Sequence, residues 1–473
     1  MEMEVCQSLS LDCLISIFAL LQDEDLLTAS VVCKEWHYAA ETPWLWRRMC
    51  LQRWSFCNVS QLLSDTGMPS WKGYFQRRSH LEKKMKTGRS TADYTCKSLR
   101  GHKGKVVGFA YLAGNDGCSD VWTCTPVVCS ASTDGTIKAW DIQKGVNLWT
   151  SPVQSPLQDM TVDAVQSVII TSDSTGTIKT WKGATGEEQA CFNSGFSRST
   201  LLAFSNKDGS SFLMVGSVLG SLLVLSLPAL SEVSRHVVCD SFMLNLLLSA
   251  PDKKWIFAAS KDNFDLSPKV FCSDSVCDHA EDRVCFSLPV TGCCAAVFLP
   301  SQAARLAVIH SDGLFRNKTL SVFDLIMKES KYKREPRAQQ VASFQVDLSH
   351  RSDVILQARG SSTVLLADGN HLKVYTIKGE LVASFEDHLQ PITALCVDSF
   401  RVVTASRDLS LRILTWRTHP EHGLTLESQY HLLGGSHTRS RGFTNVACDY
   451  SSIVASVESV DGKDVLKAYT FDF

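Results

Sequence analysis

The sequence predicts a mainly β fold: an eight-bladed β-propeller preceded by a small all-α segment and a helical linker. Three observations predict it. A segment at residue 134 is repeated at residue 175, β-rich runs separated by turn residues continue to the end of the chain, and helical periodicity of apolar residues stands only before residue 93. We therefore divide the chain into a helical segment at 5–50, a helical linker at 51–92 and a propeller at 93–473.

The repeat is the pair "DGTIKAWD" and "TGTIKTWK", which share five of eight positions at a spacing of 41 residues. That period is typical of WD-type propeller units, each of which supplies four strands. Weaker third strands follow, and long connections such as "MKESKYKREPRAQ" at 327–339 explain a slightly long average repeat. We count eight blades, with seven as the alternative. The weaker third strands are "SLLVLSL", "PKVFCSD", "LSVFDL", "LKVYTI", "LRILTW" and "VLKAYTF".

The ends of the predicted propeller indicate how the ring closes. The last unit supplies only three strands before the chain stops, while "YTCKSL" at 94–99 is a strand without a unit of its own. Pairing of residues 94–99 with the C-terminal strands would complete the eighth sheet and leave no open sheet edge.

Two sets of polar residues within the repeats have the composition of a catalytic triad: His102, Ser132 and Asp134, and His388, Ser406 and Asp408. A hydrolase that uses Ser132 is therefore one hypothesis. Repetition favours a structural network, because an active site is needed once. By resemblance to WD repeats, each histidine bonds the turn aspartate and the strand serine, and Trp140 closes the first network, where the second has Leu414.

Composition excludes several classes of partner. A net charge of −2 gives no general attraction to nucleic acid or to anionic membranes. No apolar run approaches the roughly 18 residues of a membrane span, and the acidic N-terminus lacks the positive charge of a secretory signal. We expect an intracellular protein, in the cytoplasm, the nucleus or both. No phosphate-loop or dinucleotide fingerprint occurs, so no cofactor is predicted.

The 18 cysteines are interpreted as reduced core residues, because they are scattered without paired spacing. Cys272, Cys277, His279 and Cys285 loosely imitate zinc-ligand spacing. Strand and loop cysteines are the interpretation that we adopt, so no metal is predicted.

Three short helices are predicted before residue 55. Residues 9–21 place apolar side chains on one helical face, with Ser10 as the cap. "DEDLLTASVVCKEWHYAA" is expected to form a second helix, and "TPWLWRRMCLQRW" a third with Pro43 in its first turn. Because three short helices cannot build a large core, their surplus aromatic surface should be shared with another structure.

The helical segment resembles the F-box in "LSLDCLISIFALL", "ASVVCKEW" and "PWLWRRM". Together with the propeller, this makes the chain similar to the F-box/WD-repeat family. The resemblance implies a non-catalytic substrate receptor of a ubiquitin ligase, whose helices dock on a Skp-family adaptor and reach the cullin and RING subunits through it. The implied docking or core residues are Leu9, Leu11, Leu14, Ile17, Phe18, Leu26, Val32, Cys33, Trp36 and Trp46.

One residue departs from the family pattern. Ser10 stands where a proline usually follows the first leucine, which weakens preorganisation of the first contact. Two alternatives to the ligase receptor therefore stay open: a helical cap packed on the propeller, and a propeller scaffold with a weakened F-box.

Residues 70–90, "SWKGYFQRRSHLEKKMKTGRS", place Trp71, Tyr74, Phe75, Arg78 and Leu81 at helical spacing and resemble the linker helix of this family. Their basic residues form a solvated helix face in our interpretation, and a nuclear or nucleic-acid signal is the alternative.

The resemblance places an unidentified protein substrate on the top face of the propeller, which is built from loops between fourth and first strands and between second and third strands. In related receptors, arginines on this face grip phosphorylated motifs. "SRDLSLRI" at 406–413 makes Arg407 the first candidate, and Arg198, Arg439 and Arg441 follow from their places near first-strand starts. A structural surface arginine is the alternative at Arg407.

Overall fold

The computed structural model describes residues 9–54, 70–89, 93–112, 126–277, 284–312, 315–329, 334–348, 353–398, 400–419 and 423–471. The chain forms two compact units, one with the N-terminal helices and the other with the β-strands. None of the helices in the described ranges is long and apolar enough to cross a membrane.

The described residues of the first unit form five helices: α1 Leu11–Phe18, α2 Asp23–Ala29, α3 Lys34–Ala40, α4 Pro43–Arg53 and α5 Trp71–Thr87. Helix α1 begins as the sequence indicates, because the Ser10 hydroxyl accepts the Cys13 N–H at 3.3 Å. Helix α5 begins with a similar cap, the Ser70 hydroxyl on the Gly73 N–H, and ends at Gly88 with a positive φ of 56°.

The expected second helix is wrong in its length, since it is divided into α2 and α3. The Ser30 hydroxyl donates a hydrogen bond to the Leu27 carbonyl at 2.7 Å. The backbone of Cys33 is extended, with φ of −157°. The Cys33 sulfur then accepts the Trp36 N–H at 3.5 Å and starts α3. Such local side-chain bonds compete with a continuous helix, so the break follows from residues 30–33.

The aromatic core of the first unit is closed by α5. The Trp46 ring lies 5.5 Å from the Phe75 ring and its indole N–H donates to the Ala40 carbonyl at 2.7 Å. Trp54 packs 5.3 Å from Phe75 and donates to the buried carboxylate of Glu82 at 2.6 Å. Much of the surplus aromatic surface is therefore buried within the chain, and only part of it is left for a partner.

The second unit confirms the mainly β prediction and the count of eight blades, each an antiparallel sheet of four strands. Blade 1 is β2–β5, blade 2 β6–β9, blade 3 β10–β13, blade 4 β14–β17, blade 5 β18–β21, blade 6 β22–β25, blade 7 β26–β29, and blade 8 β30–β32 with β1. A short helix, α6 Ser273–Cys277, follows β16. The strands are β1 Thr95–Leu99, β2 Val106–Tyr111, β3 Val127–Ser132, β4 Ile137–Asp141, β5 Val146–Thr150, β6 Leu157–Asp163, β7 Val168–Asp173, β8 Thr177–Lys182, β9 Glu188–Asn193, β10 Ser199–Ser205, β11 Ser211–Ser217, β12 Ser221–Ser226, β13 Glu232–Val237, β14 Leu246–Ser249, β15 Trp255–Ala259, β16 Lys269–Cys272, β17 Cys285–Ser287, β18 Thr291–Phe298, β19 Arg305–Asp312, β20 Phe315–Glu329, β21 Arg334–Val346, β22 Ile355–Arg359, β23 Thr363–Asp368, β24 His371–Thr376, β25 Leu381–Phe385, β26 Ile392–Val397, β27 Arg401–Ser406, β28 Ser410–His419, β29 Gly423–Leu433, β30 Ser440–Cys448, β31 Ser452–Ser459 and β32 Val465–Thr470.

The eighth blade joins the two ends of the strand-forming chain. β1 pairs antiparallel with β32, from Thr95 opposite Thr470 to Leu99 opposite Leu466. The hydroxyls of Thr95 and Thr470 lie 2.6 Å apart. In blade 8, as in the other blades, the second and third strands each have a strand on both sides. The edge of β32 is therefore paired rather than open.

Packing between blades explains the pattern of apolar residues. Second strands such as β7 and β27 are buried at every position, because a neighbouring blade covers each face, whereas the outer strand β5 is mostly exposed. Trp140 of blade 1 packs with Val454 and Leu466 of blade 8 in one such core.

One expectation about connections is wrong. Residues 327–339 were expected to form a long loop, but most of them extend strands β20 and β21 into a long hairpin. Met327 lies opposite Pro336, and Met327 packs with Ala338 against the core between blades 4 and 5. Most of the exposed side chains of β21 are polar, which is why composition alone indicated a loop here.

Candidate functional site

The ten residues expected to form the adaptor-binding segment divide into two groups. Leu14, Phe18, Leu26 and Trp46 are buried and build the core of the first unit. Trp36 is half-buried and packs edge-on against Phe18, with ring centroids 5.4 Å apart. The remaining five, Leu9, Leu11, Ile17, Val32 and Cys33, are exposed. Among the ten, these five side chains and the exposed part of Trp36 are the ones that another protein can reach.

Sequence reasoning missed further exposed apolar residues in the same unit. Leu20 and Val31 are 82% and 81% exposed, respectively, and Tyr38, Trp44 and Leu51 are each more than half exposed. Solitary exposed apolar residues are normal, but this many within residues 9–51 leave a large share of the apolar surface of this unit in contact with solvent. For Leu20, Val31 and Trp44, the signal that could have found them is their position at or just beyond a helix end, outside the periodic apolar stripe.

Ser10 lies at the edge of this surface and has a defined structural role. Its backbone has φ of −62° and ψ of 154°, and its hydroxyl caps α1. That φ is the value that proline fixes, so the backbone already has the conformation that the usual proline would impose. Ser10 thus caps the first turn of α1 with its hydroxyl, whereas a proline would fix the backbone with its rigid ring.

In the second unit, the first polar network differs from expectation at its serine. His102 Nδ1 lies 3.2 Å from the Asp134 carboxylate, and His102 Nε2 lies 2.8 Å from the hydroxyl of Ser130, not of Ser132. The Trp140 indole N–H donates to the same Ser130 oxygen at 2.9 Å. Trp140 therefore closes the network, as expected, but through Ser130.

Ser132 has a different structural role. It is the last residue of β3, and its hydroxyl accepts the Asp134 N–H at 3.2 Å, which closes the turn. Ser130 lies one pleat repeat deeper on the same face, where it reaches both rings. The second network repeats this arrangement with Thr404 in place of the expected Ser406: His388 Nε2 lies 2.7 Å from the Thr404 hydroxyl.

Apart from the Trp140 hydrogen bond, which has no counterpart at Leu414, the two networks share the bonds around their histidine and aspartate. In the second network, His388 Nδ1 lies 3.0 Å from the Asp408 carboxylate, which accepts the Leu389 N–H at 3.0 Å and the Ser410 hydroxyl at 2.7 Å. In the first, Asp134 accepts the Lys103 N–H and the Thr136 hydroxyl, each at 2.6 Å. Such repetition in two blades is typical of a device that fixes blade geometry.

Burial argues against nucleophilic catalysis by these sets. The side chains of Ser130 and Ser132 have no exposed surface, so a substrate cannot reach either hydroxyl. Burial also lowers the pKa of His102 and outweighs the attraction of Asp134, so the imidazole stays neutral. Burial opposes ionisation of Asp134, but the hydrogen bonds from Thr136 and Lys103 outweigh it and lower the pKa of that carboxyl.

A cluster of three cations around one carboxylate lies on the face expected to hold the substrate. Arg407, in the turn from β27 to β28, donates to Glu458 at 3.4 Å. Arg441 and Lys105 each lie 3.6 Å from the other oxygen of Glu458. Glu458 is 12% exposed, whereas each cation is more than half exposed. We call these four residues the Glu458 cluster.

A β-bulge assembles this cluster. β30 advances from Ser440 to Gly442 while its partner advances by one residue, so Arg441 is the extra residue and is turned toward Glu458. Gly442 has φ of 141°, and a Cβ there would lie 2.4 Å from the Arg407 Cα. Only glycine allows the turn of blade 7 to approach blade 8 this closely.

The other two candidate arginines lie elsewhere. Arg439 lines a separate crevice with Arg100 and Lys467, between the β29–β30 connection and blade 8. Arg198 is exposed in the connection from β9 to β10 and forms no ion pair within the described part of the chain. The structure therefore brings together Arg407 and Arg441 but neither Arg198 nor Arg439 with them.

No group of three or more potential metal ligands stands together among the described residues. Of the zinc-like cluster, His279 lies outside those residues, and Cys272, Cys277 and Cys285 lie in or beside blade 4 and are not joined in disulfides.

Comparisons with known proteins match this architecture. Residues 11–52 match the family described as F-box-like. The chain is 29% identical to F-box/WD repeat-containing protein 12 of Homo sapiens over 466 residues, which cover 96% of this chain and 97% of that protein. It is 26% identical to F-box/WD repeat-containing protein 15 of Mus musculus over 475 residues, 98% and 99% of the two chains.

A solved structure supports the fold alone. The crystal structure of the computationally designed protein Ika8 superposes with a TM-score of 0.57 at 21% identity, covering 78% of this chain and 98% of that one.

Proposed function

Because an F-box-like segment followed by an eight-bladed propeller gives this chain the organisation of the F-box/WD-repeat proteins, we propose that it is the substrate-recognition subunit of an SCF-type ubiquitin ligase. The helices bind a Skp-family adaptor, which connects them to the cullin and RING subunits. The propeller binds a protein that is ubiquitinated and degraded, and the chain itself does no chemistry. It acts in the cytoplasm or the nucleus.

The exposed apolar face of the F-box-like segment carries this proposal. Leu11, Ile17 and Val32 project from residues 11–52, and no element among the described residues covers them, although a buried core lies behind them. Burial of such side chains contributes about 25 cal/mol for each Å² removed from water, so a partner that covers several of them binds stably.

Substrate is bound on the top face in this proposal, with Arg407 and Arg441 of the Glu458 cluster as primary contacts. Arg198 and Arg439 contact more distant parts of the same ligand. A bound substrate is held near the conjugating enzyme, so its lysines react at a raised effective concentration. The cations favour an acidic or phosphorylated substrate segment.

The test is co-purification with the adaptor using single charged substitutions on the exposed face. Ile17→Asp and Val32→Asp should abolish recovery of the adaptor without lowering the melting temperature, because both side chains are exposed. Val165→Asp, at an exposed position between β6 and β7 of blade 2, is the control and should leave recovery unchanged. Wild-type protein that recovers no adaptor would refute the proposal.

A second candidate is a propeller scaffold whose F-box is too weak to hold the adaptor. The observation that favours it is Ser10 in place of the usual proline. Since the backbone at Ser10 already fits proline, Ser10→Pro should restore adaptor binding in a weakened F-box and change little in a functional one.

A further inference from the structure

We infer that the groove between helices α2 and α5 of the first unit binds an acidic segment of a partner protein. The groove has a volume of about 790 Å³, within the range of ligand pockets. Helix α2 supplies Asp23, Glu24 and Leu27 to one wall, and residues 75–86 of α5 supply the other. None of the lining residues is among those assigned above to the adaptor or to the substrate. We call this the α2–α5 groove.

Helix α5 carries a strong excess of positive charge. Residues 70–89 contain seven lysines and arginines and one acid, Glu82, whereas the whole chain has a net charge of −2. Glu82 is buried, and its carboxylate accepts hydrogen bonds from Arg53 at 3.1 Å and from the Trp54 indole at 2.6 Å. The one acid of this segment is thus committed to the core, and no exposed carboxylate on α5 offsets the cations.

The cations that line the α2–α5 groove lack counter-charges. Arg77 and Lys83 are exposed there and form no ion pair or side-chain hydrogen bond with the described residues. Lys86 follows Lys83 by three residues in the same lining, and like charges at this helical spacing repel each other. On the opposite wall, Asp23 already lies 3.8 Å from Arg53. Carboxylates of a ligand would relieve the repulsion along α5.

The apolar floor of the groove favours a peptide over a nucleic acid. Phe75 and Leu27 belong to the core cluster of the first unit and also line the groove. Single-stranded nucleic acids bind by stacking bases on aromatic rings, but Phe75 is only 4% exposed and offers no ring face for stacking. A peptide that places an apolar side chain against Leu27 and carboxylates on either side of it matches both the floor and the cations.

The α5 wall also contains an unsatisfied polar group. The Ser79 hydroxyl is closed to solvent and has no hydrogen-bond partner among the described residues. Other helical hydroxyls of this unit donate to the carbonyl four residues earlier, Ser16 to Asp12 at 2.8 Å and Thr28 to Glu24 at 2.9 Å. Because buried hydroxyls nearly always have a partner, the wall is incomplete in the isolated chain.

The probe is a fluorescein-labelled peptide in which glutamates flank leucines, titrated with full-length protein and followed by fluorescence anisotropy. Arg77→Gln/Lys83→Gln should weaken its binding about tenfold, because charge-assisted hydrogen bonds are lost. Lys34→Gln/Arg47→Gln removes two exposed cations of the same unit outside the groove and is the matched control. The control should change binding less than about twofold, since distant surface charges are screened. Equal melting temperatures of the two double variants show that folding is intact.

Two altered peptides test the chemistry of the ligand. Glutamine in place of every glutamate should abolish binding, and serine in place of every leucine should weaken it. The inference is overturned if wild-type protein does not bind the acidic peptide, if both double variants weaken binding equally, or if labelled oligouridylate binds more tightly than the peptide. Adaptor recovery should be unchanged in Arg77→Gln/Lys83→Gln. Its loss would make the groove part of the adaptor interface and would overturn the inference of a separate site, whereas the proposed function is tested independently by Ile17→Asp.

Discussion

Arg407 of blade 7 donates a hydrogen bond of 3.4 Å to Glu458 of blade 8. The two residues lie in different blades and are joined because Gly442 lets the blade 7 turn approach β30. One carboxylate thus gathers Arg407, Arg441 and Lys105 while leaving each cation more than half exposed. The arginine expected to bind substrate is therefore held by the protein's own counter-charge.

Removal of that counter-charge should open the Glu458 cluster to anions. Glu458→Gln should increase affinity for inorganic phosphate about tenfold, since three cations lose their internal partner. Titration at two salt concentrations measures this change, and the gain should shrink as salt rises. An unchanged affinity would mean that Glu458 does not compete with the ligand.

The bulge that builds the cluster should be intolerant of a side chain at Gly442. Gly442→Ala places a Cβ against the Arg407 backbone and strains a positive φ, so we expect a loss of about 2–4 kcal/mol in the free energy of unfolding. Gly462→Ala is the control, because its φ is also positive but no atom lies within 4 Å of the added Cβ. It should cost about 1 kcal/mol. Equal losses in urea unfolding would contradict a steric role for Gly442.

Ser130 should matter more than Ser132 for stability. Ser130→Ala leaves the His102 ring and the Trp140 indole without their shared partner in a buried site, so we expect a loss of about 2–3 kcal/mol. Ser132→Ala removes one turn hydrogen bond and should cost about 1 kcal/mol. Thermal and urea unfolding of the two variants test the order. The reverse order would support the originally expected network.

The His102 network should also make stability depend on pH. Burial lowers the pKa of His102 in the folded protein below its ordinary value of 6.5, so the unfolded chain takes up the proton first as pH falls. The contribution of the neutral His102 side chain to stability is complete above pH 6.5 and is lost as the pH falls below that value. The charged groups near His102 are Asp134 and Lys138. The stability gap between wild type and His102→Gln should therefore shrink from pH 7.5 to pH 5. A gap that widens would show a protonated His102 held by Asp134.

Much of the fold follows from sequence because it rests on repetition. Short β-rich runs with turn glycines predict eight blades, and each blade obeys the same packing rule. The break between α2 and α3 was not predictable from periodicity, since apolar spacing continues through Ser30 and Cys33 while their side chains redirect the backbone. Each polar network has two hydroxyl residues that the histidine could contact, at positions 130 and 132 in the first network and at 404 and 406 in the second. The sequence spacing alone does not determine which of the two forms the bond.

The grouping of the cationic residues could not be predicted from the sequence either. Arg407 and Arg441 are far apart in sequence, and only a bulge and a glycine in β30 bring them to one carboxylate. Arg439, two residues from Arg441, instead lines a separate crevice with Arg100. Proximity in sequence did not predict proximity in space, because a bulge changes the direction of successive side chains.

The central claim, that the exposed face of the helical unit docks on a Skp-family adaptor, is tested most directly by amide hydrogen exchange of the full-length protein with and without purified adaptor. We predict slower exchange on adding adaptor within residues 9–51, and no change in the strands of the propeller. Unchanged exchange in residues 9–51 at saturating adaptor, or protection confined to the propeller, would contradict the claim.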